Sequence, residues 1–153
     1  MTTISARAAA IANAFATESC RLRPPSTTRS RDSPARYGGG AAGCGDIGCH
    51  FPDDDPAWKD ANSIDLLRRA TGVVHDAGFV VVNVDVTVIA ERPKLAPHVG
   101  AMRANVARAL GVEPPHVSIK GKTNEGVDAI GLGDAVAVHA VALVQHSPFD
   151  SPR

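Results

Sequence analysis

The sequence predicts a packed α/β unit from Cys44 onward, and three observations predict it. Two segments repeat apolar residues at helical spacing, a long valine run alternates at period two, and a later apolar run shows no polar face. In chain order the elements read helix, strand, helix, strand, strand.

Ser63 is placed to cap the first helix. There Ile64, Leu67, Thr71 and Val74 share a face that Leu66, Ala70 and Val73 widen, and Gly78 ends it. From Phe79 to Ala90 the valines at 80, 82, 84, 86 and 88 point one way while Asn83, Asp85 and Thr87 point the other, so the sheet has a polar side. A loop with Pro93 and Pro97 leads to a second helix that lines up Val99, Met102, Val106 and Leu110 and stops before Gly111. Val117 to Lys122 reads as a short strand. A loop spaced by Gly126, Gly131 and Gly133 precedes Ala135 to Val144, apolar on both faces and therefore predicted to be buried on both. His139, inside that run, is read as a hydrogen-bonded core histidine, and His75 and His146 are given no role.

Composition narrows the function classes. The 153 residues hold 16 basic Lys and Arg against 16 Asp and Glu, so no basic footprint for nucleic acid exists. No apolar run reaches the roughly 18 residues a bilayer span needs, because Asn83, Asp85 and His139 interrupt the best candidates. The 3 cysteines, Cys20, Cys44 and Cys49, form no CxxC and are read as reduced thiols. All 6 histidines lie at or beyond position 50. Residues 1–40 are Arg-, Ser- and Thr-rich with few large apolar groups, and are read as a disordered leader with a marginal helix over 5–18. The domain is assigned to 41–146 and a tail to 147–153. A cytoplasmic location follows, with a plastid as the alternative if the leader is a transit peptide.

Three segments can carry chemistry. Asp46, His50, Asp53, Asp54 and Asp55 crowd a stretch between a Gly turn and a Pro break, and can bind a divalent cation or ligand hydroxyls; the plain alternative is turn and cap residues. Ala90 to Pro97 follows the long strand, where two prolines fix a backbone that can present amides and carbonyls to a flat base. Arg92 and Lys94 there either meet phosphate or are simply solvated. Lys120 to Gly126 joins cations, a hydroxyl and a carboxylate, a set suited to a diphosphate and its metal ion. It is not a P-loop, since the glycine spacing is absent.

Taken in order, Ala41-Ala42-Gly43-Cys44-Gly45-Asp46-Ile47-Gly48, His50 to Pro56, Asn83-Val84-Asp85-Val86-Thr87, Arg92-Pro93-Lys94 and Lys122-Thr123-Asn124-Glu125-Gly126 resemble the 2-C-methyl-D-erythritol 2,4-cyclodiphosphate synthase family. The resemblance covers about Ala41 to Val144. It implies an α+β sandwich-type subunit, a mixed sheet packed on helices, assembled as a homotrimer with sites between neighbours. It implies a lyase of the non-mevalonate isoprenoid route, which cyclises 4-diphosphocytidyl-2-C-methyl-D-erythritol 2-phosphate and releases CMP. Asp46, Ile47 and Gly48 would then hold the methylerythritol part, in a pocket lined by Phe51, Pro52, Asp53, Asp54 and Asp55. Ala90, Glu91, Arg92, Pro93, Lys94, Leu95 and Ala96 would receive the cytosine. Thr123 and Lys122 would act on the transferring phosphoryl group, Asn124, Ala129 and Leu132 would border the substrate, and Glu125 would ligate Mg²⁺ or Mn²⁺ between the phosphates.

The sequence also departs from that family. The family's Asp-x-His pair and His-Ser-Asp-Gly-Asp segment, which hold a zinc-type ion, are both missing, and that second ion is expected to be absent. Leu132 stands where many members have arginine, and Ala129 where many have an aromatic residue. Three accounts stand open: a truncated or frame-shifted gene product; a divergent non-catalytic homologue that binds cytidine nucleotides or joins an intact subunit; and a transit peptide spliced beside a shortened domain. Each implies impaired turnover by this polypeptide.

Overall fold

Branched side chains favour extended backbone, and the run FVVVNVDVTVI makes Phe79–Ile89 the strand β1 at the centre of the sheet. The computed structural model describes residues 42–45, 47–52 and 54–147. The expected leader, its helix over 5–18 and the tail beyond Ser147 lie outside them, as do Asp46 and Asp53. A single turn, α1 (Ile47–His50), is followed by α2 (Ser63–Asp76) and β1. Then come α3 (Val99–Leu110), β2 (Val117–Lys122), a second single turn α4 (Asp128–Gly131) and β3 (Ala137–His146).

The sheet is mixed, in the order β2-β1-β3, with β2 parallel and β3 antiparallel to β1. A parallel neighbour requires a crossover, and α3 supplies it. α2 and α3 cover one face of the sheet. Their Leu67, Val74 and Leu110 meet Val84, Val86, Val88 and Val117 in a core from which water is excluded. Thr71 enters that core because its hydroxyl donates to the Leu67 carbonyl at 2.8 Å. Arg103 ties α3 to the start of β2, donating to the carbonyls of Val117 at 2.8 Å and Pro114 at 3.0 Å.

Four expectations change. Asn62, not Ser63, caps α2, its side chain accepting from Ile64 N; Ser63 is the first helical residue and is buried. The valine alternation breaks near Val82, where the β1–β3 register shifts between Val81 and Asn83; Val81 is buried, and Val80 and Val82 are only half-buried. A bulge inserts one residue and reverses the parity of everything before it. β3 is covered on one face only: Val138, Ala140, Ala142 and Val144 pack on the core, whereas Val141 and Leu143 are 73% and 54% exposed. Among the described residues the helices lie on one side of the sheet, and none of these residues forms a layer against the second apolar face of β3. His139, on that open face opposite Thr87, is exposed and not a core residue.

Across the same open face Lys120 donates to the Asp85 carboxylate. That bond, with a further one from Ser118, holds the Asp85 carboxyl below its ordinary value. A lowered carboxyl favours the folded state at pH values above the unfolded-chain value, and the contribution disappears as pH falls through the lowered one.

Two outcomes follow. Leu67→Ala is expected to lower the unfolding free energy by about 2–5 kcal/mol in urea titrations, because it opens a cavity under α2. Lys120→Met should return the Asp85 titration, followed by carboxyl NMR, toward the ordinary range; an unmoved midpoint would contradict the pairing.

Candidate functional site

Because β1 and β2 run in parallel, the loops that leave their carboxyl ends emerge side by side, the place where open α/β sheets bind ligands. Ile89 is in register with Lys122, and one residue on, Ala90 N donates to the Lys122 carbonyl at 3.0 Å. Leu95 folds back over β2, and a Cβ added at Gly121 would stand 3.3 Å from its Cδ1. The loop after β1 is therefore pinned at Ala90 and Leu95, both buried, while Arg92, Pro93, Lys94 and Ala96 between and beside them are exposed. Glu91, Arg92, Pro93 and Lys94 line an open depression of about 690 Å³. The Arg92–Pro93 peptide is cis, and Glu91 keeps one carboxylate oxygen, Oε2, shielded from solvent with no donor among the described residues. An apolar anchor and a pinned backbone beside two exposed cations suit a planar base carrying phosphate.

The loop after β2 presents Lys122, Thr123 and Glu125 to solvent, with Asn124 half-buried among them. Glu125 and Gly126 both have positive φ, 52° and 82°, which turns the chain sharply and brings Gly126 against Gly131. A Cβ at Gly131 would lie 2.4 Å from the Gly126 carbonyl carbon, so only glycine fits there. Ala129 and Leu132, further along the loop, are exposed. The Glu125 carboxylate makes no hydrogen bond or ion pair among the described residues. Magnesium-type ions are commonly held by one or two carboxylates plus substrate phosphates, and Glu125 fits that use. Among the described residues no group of three or more His, Cys, Asp or Glu side chains is placed to hold a metal ion.

The acidic segment divides. Ile47 and Phe51 pack on the core, Gly48 is exposed on α1, and Pro52 is half-buried. Asp54 is exposed. Asp55 acts as a cap, accepting from Ala57 N at 2.9 Å to start the turn Pro56–Trp58, so the plain reading holds for this residue. His50 lies 2.7 Å from the Cys44 carbonyl, and burial pushes the Cys44 thiol up, keeping it protonated. No hydrogen bond or ion pair among the described residues joins 51–55 to 90–96 or 122–125. A single chain thus brings together the two loops after β1 and β2.

Sequence reasoning missed Trp58 and Arg69. Phe51 and Trp58 meet edge to face, with centroids 5.0 Å apart at 84°, and the Arg69 guanidinium lies 5.2 Å from the Trp58 centroid. The available signal was a tryptophan just after Pro56 and an arginine on the solvent side of a helix.

Residues 39–145 match the YgbB family. The chain is 55% identical over 105 residues to the 2-C-methyl-D-erythritol 2,4-cyclodiphosphate synthase of Symbiobacterium thermophilum, a match covering 69% of this chain and 67% of that one. Its fold is similar to that of the bifunctional IspDF from Campylobacter jejuni, with a TM-score of 0.67, 37% identity, and 70% and 29% of the two chains covered. It is also similar to a CDP complex of IspF from Plasmodium falciparum, with a TM-score of 0.58, 30% identity, and 67% and 60% covered. The chain thus spans about two thirds of the curated relative and less of the two solved chains.

Trp58 is the only tryptophan in the chain, so the emission reports the surroundings of this one ring. Arg69→Ala should shift the emission intensity or maximum while costing at most about 1 kcal/mol of stability. Emission identical to the wild type would show that the stacking does not persist in solution.

Proposed function

The chain belongs to the YgbB family, and from that membership we propose that it binds a cytidine diphosphate ester and cyclises 4-diphosphocytidyl-2-C-methyl-D-erythritol 2-phosphate with release of CMP. The observation that carries this reading is the Ala90–Lys122 bond, which sets a base-sized loop and a diphosphate-suited loop side by side at the ends of two parallel strands. In the step itself the 2-phosphate oxygen attacks the β-phosphorus. One P–O bond forms as the bond to the CMP oxygen breaks, so positioning and charge neutralisation matter more than an acid or base.

The backbone from Ala90 to Ala96 receives the cytosine, and Arg92 and Lys94 stand where they can offset phosphate charge. Thr123 donates its hydroxyl to the phosphoryl oxygen that gains charge, and Lys122 adds a cation beside it. Glu125 holds Mg²⁺ or Mn²⁺, which when bound withdraws charge from the diphosphate oxygens. Ile47, Gly48, Phe51 and the acidic residues Asp46, Asp53 and Asp54 hold the methylerythritol part. We assign no zinc-type ion, because neither an Asp-x-His pair nor a His-Ser-Asp segment occurs in the 153 residues, and on that ground turnover is set low.

A homotrimer completes this picture. No hydrogen bond among the described residues ties Phe51, Pro52, Asp54 or Asp55 to the two loops, which leaves a neighbouring subunit as the partner this reading assigns to the acidic segment. The exposed Val141 and Leu143 on the open sheet face supply apolar surface for such an assembly. One second reading has a specific observation behind it: the missing ligand motifs favour a cytidine-nucleotide-binding homologue that releases no CMP.

Calorimetry with CDP and Mg²⁺, an assay of CMP release and a native mass measurement separate the readings. CDP affinity with Mg²⁺-dependent CMP release supports the enzyme, and affinity without release supports the binding homologue. Absence of CDP affinity overturns both. Where release is seen, Glu125→Gln should reduce it by about 10²-fold.

A further inference from the structure

We infer that Asp128 is a positioning residue for the loop after β2: its carboxylate bridges the two halves of the loop and fixes the segment Thr123–Glu125 in the conformation that meets the diphosphate and its ion. The inference deepens the proposed reading and rests on it. Asp128 has φ of 62°, a left-handed backbone that a side-chain-bearing residue adopts at a cost of about 1–2 kcal/mol. Glu125, three residues earlier, is held the same way. Two such residues in one short loop need interactions that compensate them.

The Asp128 carboxylate provides those interactions in both directions along the chain. Oδ1 accepts from Ile130 N at 2.8 Å and from Gly131 N at 3.3 Å, which starts the single turn α4. Oδ2 accepts from the Asn124 side-chain amide at 2.8 Å, reaching back across the turn. Asn124 stands between Thr123 and Glu125, and its own carbonyl accepts from Val127 N at 2.9 Å. Asn124 is therefore gripped at both main chain and side chain, and Glu125 is carried within that grip. Charge on the carboxylate strengthens all three bonds, and because both oxygens are engaged inside the loop, its charge is offset before a diphosphate arrives. The close approach of Gly131 to Gly126 closes the same loop from the other side.

Substitution separates the carboxylate from the backbone preference. Asp128→Gly keeps the left-handed backbone without steric cost and removes every acceptor; Asp128→Asn tolerates the same backbone, keeps one oxygen for Ile130 and Gly131, and offers an amide to Asn124, whose side-chain amide turns over to accept from it. Mn²⁺ binding in the presence of CDP, read by electron paramagnetic resonance, is expected to weaken about tenfold or more in Asp128→Gly and to stay within about threefold in Asp128→Asn. The melting temperature should be unchanged in both, since the loop lies outside the core. Amide exchange at Ile130 and Gly131, measured without ligand, should speed in Asp128→Gly alone.

Wild-type Mn²⁺ affinity in Asp128→Gly would overturn the inference. So would losses that track the melting temperature, or equal losses in the two variants. If wild-type protein fails to bind CDP, the nucleotide reading falls. The exchange data then decide whether the carboxylate holds the loop: unaltered protection in Asp128→Gly refutes it, and selective loss supports it.

Discussion

The parallel pairing of β1 with β2 is the constraint on which the site depends. It is a non-local contact, formed only because α3 crosses back over the sheet with Val106 and Leu110 buried beneath it. Its register is set by burial. Val84, Val86 and Val88 must share the core with Val117 and Ile119, and a slip of one residue would turn every one of them to solvent. Once that register is fixed, Ile89 stands beside Lys122, Ala90 reaches the Lys122 carbonyl, and the two loops begin at the same height. The apolar side of the sheet thus determines the relative position of polar residues that never touch the core.

What was legible in the sequence is what burial dictates repeatedly. Leu67, Thr71 and Val74 recur at helical spacing because one face of α2 meets the sheet, and Val84, Val86 and Val88 alternate because one face of β1 does. Gly111, at φ of 70°, ends α3 where a left-handed residue was required. The bulge near Val82 was hidden because three consecutive valines carry no parity, so either residue of the pair could face inward. The choice of Asn62 over Ser63 as cap turned on one residue, and both types are good caps. In the loop after β2, the residue types pointed to a diphosphate, but the grip of Asp128 on Asn124 depends on two left-handed residues that spacing does not announce. The stacking of Arg69 on Trp58 was invisible for a similar reason: it joins a turn to a helix through side chains with no periodic signature.

The misreading of β3 has a different origin. Its sequence is apolar on both faces, and two apolar faces require two covering layers. The helices form one layer and cover Val138, Ala140, Ala142 and Val144; Val141 and Leu143 are left facing outward with His139. Asp85 and Lys120 sit on the same open face, already paired with each other. A charged pair whose partners are in place can be covered at far lower cost than an isolated charge, and next to it the two apolar side chains favour covering. The face is therefore built so that a second layer can close it without leaving a charge stranded. The exposed apolar face is the physical argument behind the proposal that the site lies between subunits: neighbouring copies of the same chain, if they assemble as proposed, would cover it.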